Sequence, residues 1–132
     1  MRKSFLLVLA AAALLAGACQ SKIDEAVLES PDLGLYQEGK PLIQYDPLKF
    51  QNAYNETLRQ FRVHDDTMSE YFILTLDAIP TQVGQQVTGS LRSSVTADMS
   101  GLEFSVEKTD GEGRVWLWCK KRKLAATVQI LS

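Results

Sequence analysis

The stretch YFILTLDA, residues 71–78, alternates apolar side chains with more polar ones at a period of two. Its apolar members Phe72, Leu74, Leu76 and Ala78 share one face, which is the pattern of a half-buried strand in an antiparallel sheet. Three later stretches repeat the pattern: QQVTGSLRS at 85–93, GLEFSVEKT at 101–109 and KLAATVQI at 123–130.

Turn residues separate these stretches. IPTQVG occupies residues 79–84, and DGEG at 110–113 is a strong hairpin signal. The strands follow one another too closely for crossover helices. The sequence therefore predicts an all-β domain over residues 41–132, an antiparallel meander that forms a small sandwich or barrel.

DPLKFQNAYNETLRQF, residues 46–61, fits two structures. Its apolar residues have helical spacing, and Asp46-Pro47 suits the start of a helix near 47–61, which would make the fold α+β. The polar Asn and Gln side chains and the short gaps favour a hairpin instead, with strands 49–54 and 59–65. We predict the hairpin and keep the helix as the alternative.

The N-terminus has the organisation of a secretory signal peptide. Arg2 and Lys3 precede a charge-free run over residues 5–18, which is shorter than the roughly 20 residues a membrane span needs. LLAGAC, ending at Cys19, resembles the lipobox of bacterial lipoproteins. The resemblance implies that residues 1–18 are removed and that Cys19 carries the lipid, including palmitate. The alternative is a secreted protein cut after Ala18 that keeps a free Cys19.

Only one other cysteine, Cys119, is present, so lipidation of Cys19 leaves no disulfide. A Cys19–Cys119 bridge is the competing interpretation. Residues 19–40 are polar and irregular, which predicts a tether between the anchor and the domain. Gln20 after the cysteine resembles the outer-membrane sorting pattern of Gram-negative lipoproteins. Lys22, Asp24 and Glu25 resemble the acidic stretch that directs some Bacteroidetes lipoproteins to the cell surface.

The charge of the chain argues against nucleic-acid binding. Removing Arg2 and Lys3 from its 14 basic residues leaves 12 against 16 acidic ones, a formal charge of −4 for the mature chain. Nucleic-acid binding needs a basic face. The mature chain of 114 residues has the size of one domain, and we expect a monomer without nucleic-acid partners.

Three stretches, FRVHDDTMSEYF, IPTQVGQQVTG and VWLWCKKRKLAATVQIL, resemble uncharacterised small lipoproteins of the Bacteroidetes. The resemblance covers about the last two-thirds of the chain. It implies a β-rich envelope domain on either face of the outer membrane and assigns no active site.

His64, Asp66 and Cys119 are the residues that could carry chemistry. His64 and Asp66 would share a strand face as a base and its orienting carboxylate, or His64 and Cys119 would form a thiol dyad. A polar strand end and a buried cysteine are the alternatives. Zinc needs three or four ligands, and no such spacing exists, so we expect no metal and no cofactor.

Trp116, Trp118 and Lys120 alternate along RVWLWCKKRK and share one strand face. If that face is open, two indoles beside cations form a platform for a glycan. If the strand is central and buried on both faces, the indoles belong to the core.

Thr67, in the triplet Asp66-Thr67-Met68, matches an O-glycosylation pattern of Bacteroidetes and falls in a predicted turn. These features favour a non-enzymatic envelope module that binds a protein or glycan. A small hydrolase or thiol enzyme using His64, Asp66 or Cys119, and a β-barrel carrier of an apolar ligand, are the alternatives.

Overall fold

A computed structural model describes residues 22–30 and 32–130. The predicted signal peptide and Cys19 lie outside these residues. The described part is nearly all β, which confirms the predicted fold class, with one helix, α1 (Glu25–Glu29), and nine antiparallel strands. The strands are β1 (Gly34–Gln37), β2 (Lys40–Gln44), β3 (Phe50–Asn55), β4 (Gln60–Asp65), β5 (Tyr71–Leu76), β6 (Gln86–Ser93), β7 (Met99–Thr109), β8 (Arg114–Cys119) and β9 (Leu124–Gln129).

The nine strands form one sheet in the order β2-β1-β9-β8-β7-β6-β5-β4-β3. From β3 to β9 the sheet is a meander in chain order. The N-terminal β1 pairs with the C-terminal β9, with Leu35 opposite Ala126. The sheet curls into a half-barrel, so the packed interior lies on its concave face rather than between the two sheets of a sandwich.

The connection between β2 and β3 requires this curl. These two strands form opposite edges of the sheet, yet only residues 45–49 join them. A flat sheet of nine strands is about 38 Å wide, whereas the connection from Gln44 to Phe50 spans at most about 20 Å. The edges must therefore approach each other, and Ile43 of β2 and Phe50 of β3 belong to the same core cluster.

The core is built from the predicted alternating faces. Phe72, Leu74 and Leu76 of β5 are at most 2% exposed. The apolar faces of the later strands join them in one cluster. Its members there are Val87, Leu91, Leu102, Phe104, Val106, Val115, Leu117, Cys119, Leu124, Ala126 and Val128.

The predicted hairpin of residues 49–65 is confirmed, and the alternative helix is not present. Phe50 pairs with Asp65, and Asn55 with Gln60. Asp46 closes a tight turn instead of starting a helix, because its side chain accepts a hydrogen bond from Leu48 N (3.0 Å) and its carbonyl accepts one from Phe50 N (2.7 Å). Asn55 Oδ1 accepts from Leu58 N (3.0 Å) in the turn of the hairpin.

The folded domain begins earlier than the boundary expected at residue 41. The segment interpreted as a tether contains α1 and β1, and it packs against the rest of the domain. Its buried residues are Ile23, Val27, Leu33, Leu35 and Tyr36. Elements of five and four residues are too short to produce a readable period, although their apolar side chains drive the packing.

Helix α1 lies on the convex face of the sheet, across β8. Asp24 caps it by accepting from Ala26 N (2.8 Å). Trp116 Nε1 donates to Val27 O (3.1 Å), and Lys108 Nζ donates to Leu28 O (2.8 Å). The Lys108 ammonium also lies 4.7 Å from the Trp116 ring centroid, a cation–π contact. Two side chains of the sheet thus satisfy carbonyls at the end of the helix.

We expect Val27→Asp to loosen α1 from the sheet. Val27 is 2% exposed among apolar side chains, and burying an unpaired carboxylate there costs more than the roughly 1–3 kcal/mol of a neutral polar group. Tryptophan emission should shift to longer wavelength and acrylamide quenching should increase. Ala26→Asp, which places the same charge at an exposed position of the helix, is the control. Equal quenching in both variants would contradict the packing described for α1.

Candidate functional site

Strand β8 is buried on both faces. Leu117 and Cys119 point into the concave core, while Trp116 and Trp118 point to the convex face, where each is only 4% exposed. The covering side chains come from α1 and from neighbouring strands. The cluster around the indoles contains Ile23, Val27, Tyr36 and Ala125, with Leu28 packed against it. The open platform considered for Trp116, Trp118 and Lys120 is therefore absent, and the core interpretation of the indoles holds.

A groove of about 320 Å³ remains on the convex face beside Trp118. It combines both signs of charge with uncharged polar groups. Its lining residues are Gln86, Glu103, Ser105, Glu107, Trp118, Lys120 and Lys121. Trp118 and Lys120 of the predicted platform thus meet at this site, whereas Trp116 is not part of it. We refer to this set as the convex groove.

Register explains how the convex groove forms. Glu103, Ser105 and Glu107 are alternate residues of β7 and point away from the core. Ser105 lies opposite Trp118 of β8 and opposite Gln86 of β6. The turn after β8 then adds Lys120 and Lys121 at the end of the groove.

Hydrogen bonds and one ion pair organise these side chains. Ser105 Oγ donates to Glu107 Oε1 (3.0 Å) and lies 3.4 Å from Trp118 O. Lys121 Nζ is 3.6 Å from Glu103 Oε2, and both side chains are more than half exposed. Such an exposed pair contributes little to stability and remains available to a ligand. The groove can offer carboxylate acceptors and ammonium donors to one molecule.

Sequence reasoning missed four of these residues: Gln86, Glu103, Ser105 and Glu107. The signal was the polar half of the alternation in QQVTGSLRS and GLEFSVEKT, which by itself looks like an ordinary solvated face. Only the pairing of three strands places these groups around one depression.

The proposed catalytic residues are not brought together. Cys119 is 1% exposed in the concave core. His64 alternates with the buried Phe61 and Val63 of β4, which places it on the convex face, and three strands separate β4 from β8. His64 Nδ1 lies 2.8 Å from the carbonyl of Asp65, and Asp66 Oδ1 accepts from Gln51 Nε2 (3.3 Å). The structure therefore contains neither the His64–Cys119 dyad nor a hydrogen bond between His64 and Asp66 among its described contacts.

Asp65, next to His64, is the carboxylate that organises this region, and the sequence had not singled it out. It is 6% exposed and closes the turn after β4. Its Oδ1 accepts from Ser69 N (2.8 Å) and its Oδ2 from Ser69 Oγ (2.5 Å). The Ser69 hydroxyl, followed by backbone N–H donors, holds the pKa of the Asp65 carboxyl below its usual value, although burial opposes this.

Thr67 occupies the exposed tip of the same turn, where its Oγ1 donates to Ser69 Oγ (3.1 Å). Its position in the turn leaves the hydroxyl within reach of a modifying enzyme. O-glycosylation at Thr67 stays a prediction.

Over residues 22–30 and 32–130, no three His, Cys, Asp or Glu side chains are grouped so that they could hold a metal ion. Within the same residues, no helix has the length and apolarity to cross a membrane. No known protein family, curated protein or solved structure matches the chain.

Asp65→Asn tests the role of the carboxylate. The pKa of Asp65 is lowered in the folded state from 3.8, so its stabilisation is complete well above pH 3.8 and is lost as the pH falls through the lower folded value. Asp65→Asn should melt at a lower temperature than the unmodified protein at pH 7, and the difference should shrink below pH 3.8. Melting curves from pH 7 to pH 2.5 measure this. Asp66→Asn, the exposed neighbour, is the control, and a difference that does not depend on pH would contradict the assignment.

Proposed function

We propose that the chain is a lipoprotein of the bacterial outer membrane, anchored through Cys19, whose β domain is a non-enzymatic module that binds a glycan in the convex groove. The observation that carries the binding proposal is the groove itself, in which carboxylates, ammonium groups, an amide and an indole surround about 320 Å³.

The anchor is supported by the sequence before Cys19 and by where the domain starts. The charge-free run and the lipobox-like LLAGAC are the marks of lipid attachment. Ile23, four residues after Cys19, is buried against the domain. Four residues span at most about 14 Å, so a lipid at Cys19 would hold the domain close to the membrane surface.

The chemistry of the groove favours a neutral, hydroxyl-rich ligand. Glu103 and Glu107 can each accept hydrogen bonds from sugar hydroxyls, while Lys120 and Lys121 can donate to ring and hydroxyl oxygens. Because the two signs of charge balance, the groove has no preference for a strongly anionic chain. Trp118, which lines the groove, adds an apolar contact for a sugar ring.

The geometry gives less support to the other functions considered. Cys119 lies in the core, away from His64, and His64 and Asp66 have separate hydrogen-bond partners. The concave face, where a carrier would hold an apolar ligand, is filled by the side chains of the core cluster, including Phe61, Phe72 and Phe104. We therefore propose the binding module ahead of both alternatives.

Replacing Cys19 by Ala tests the anchor. We expect the variant to lose incorporation of radiolabelled palmitate and to leave the membrane fraction or remain as an uncut precursor. Cys119→Ala is the matched control, because Cys119 is 1% exposed in the core and should not be acylated. Palmitate that persists in Cys19→Ala, or disappears in Cys119→Ala, would contradict lipidation at Cys19.

Glu103→Gln and Glu107→Gln test the groove. Hydrogen bonds to a charged group contribute about 1.5–3 kcal/mol, so each variant should weaken binding of a groove ligand by roughly tenfold or more. Titration calorimetry against a panel of neutral oligosaccharides measures this. Glu56→Gln, an exposed change in the β3–β4 turn, should bind like the unmodified protein. Failure of every oligosaccharide to bind, or equal weakening in Glu56→Gln, would rule out the glycan groove.

A further inference from the structure

The two edges of the sheet differ in how they are protected. Edge strand β2 carries Lys40 and Pro41 and has a register shift against β1, which are features that block further strand pairing. Edge strand β3, with the sequence FQNAYN, has no charge, no proline and an unbroken register with β4. An edge strand of this kind can form backbone hydrogen bonds with a strand of another chain.

Backbone hydrogen bonds show which groups β3 leaves open. Asp65 N donates to Glu70 O and Leu76 N to Arg59 O, both at 3.0 Å, so the odd-numbered residues of β4 bond to β5. The even-numbered residues of β4 must then bond to β3, where their partners are Gln51, Ala53 and Asn55. The N–H and C=O groups of Asn52 and Tyr54 consequently point to the free edge.

Side chains at the same two positions are also incompletely satisfied. Asn52 Oδ1 and Tyr54 OH are buried and have no hydrogen-bond partner among the described residues. Buried polar atoms without a partner are costly, and each one calls for a physical explanation. At Asn52, the backbone groups lie open at the edge, and the side-chain oxygen, on the same face as Phe50, has no partner among the described residues.

We propose that two copies of this chain pair through β3, antiparallel and around a two-fold axis perpendicular to the sheet. Directly opposed residues of such a pair must point to the same face, and the open backbone groups belong to even-numbered positions. Two central registers meet both conditions, with either Asn52 or Ala53 on the axis. The first, which places Asn52 opposite Asn52 of the second copy and Phe50 opposite its Tyr54, is the register proposed. The two Asn52 side chains then lie side by side, and rotation of each amide would let it donate to the buried Oδ1 of the other.

The ends of β3 fit the same arrangement. Lys49 precedes the strand and Glu56 follows it, so antiparallel pairing brings opposite charges together at both ends of the interface. Leu48 and Leu58, which are 97% and 53% exposed, also flank the strand on opposite sides. Leu48 of each copy would therefore approach Leu58 of the other. A parallel pair would instead place like charges side by side.

A cysteine at position 52 tests the register. Residues opposed in a hydrogen-bonded antiparallel pair have Cα atoms about 5.5 Å apart, a separation that a disulfide accepts. In a chain that carries Cys19→Ala, so that pairing does not depend on lipid, Asn52→Cys should give a cross-linked dimer as the main species on mild oxidation. Asn55→Cys, whose two copies would be about 20 Å apart in this register, should not cross-link, and neither should Cys19→Ala alone, because Cys119 is buried.

Hydrogen exchange can be measured on the chain without a new cysteine, so this second test does not depend on whether the cysteine variants fold. The amides of Asn52 and Tyr54 should exchange about tenfold more slowly at high protein concentration than at low concentration, while that of Gln51 should not change. Light scattering should report a dimer at the high concentration. A monomer at every concentration would overturn the proposal. So would a dimer in which the folded Asn52→Cys variant cross-links no better than Asn55→Cys. A monomer whose Asn52 amide is protected only by an added protein would assign the edge to a different partner.

Discussion

The short connection between β2 and β3 is the constraint on which the rest of the structure depends. Five residues join the two edges of a nine-stranded sheet, so the sheet has to bend until those edges are close. The bend creates the concave face on which Phe61, Phe72 and Phe104 become fully buried. It also leaves β2 and β3 without a hydrogen-bonded neighbour on one side, so the same connection accounts for the core and for the open edges.

The pairing of β1 with β9 is the second long-range condition. It joins residues near the start of the described part of the chain to residues near its end, with Gly34 opposite Thr127. Because β1 lies beside β9, the chain just before it can cross the convex face and place α1 over Trp116. The central strand β8 is thereby covered on both faces, which is why a sequence with two tryptophans two residues apart forms a core element instead of a binding platform.

Much of the fold could be predicted from the sequence because it depends on local alternation. YFILTLDA and GLEFSVEKT display their buried faces directly, and DGEG identifies its hairpin. The helix α1 and strand β1 could not be predicted in the same way. Their few apolar residues are buried only because the opposite end of the chain provides Trp116 and Ala125 as packing partners.

The candidate site was less predictable than the fold, for a related reason. Lys120 and Trp118 were singled out, but the sequence left open whether the indole face is a platform or part of the core, and α1 covers the indoles. The carboxylates of the convex groove are exposed residues of an alternating strand, and nothing in their spacing distinguishes them from a solvated surface. They lie together because of the register of β6, β7 and β8. That register depends on which strands pair, and the sequence of a single strand does not determine it.

Trp118 connects the two features of the convex face. It belongs to the small cluster beneath α1 and also lines the convex groove. A ligand in the groove therefore contacts a side chain whose position depends on α1, and α1 begins six residues after Cys19. The helix and the groove lie on the same convex face, and in the proposed arrangement the lipid-bearing Cys19 lies only six residues before the start of the helix. The glycan that such a groove binds must then be reachable close to the membrane surface, which favours a component of the envelope itself over a ligand distant from it.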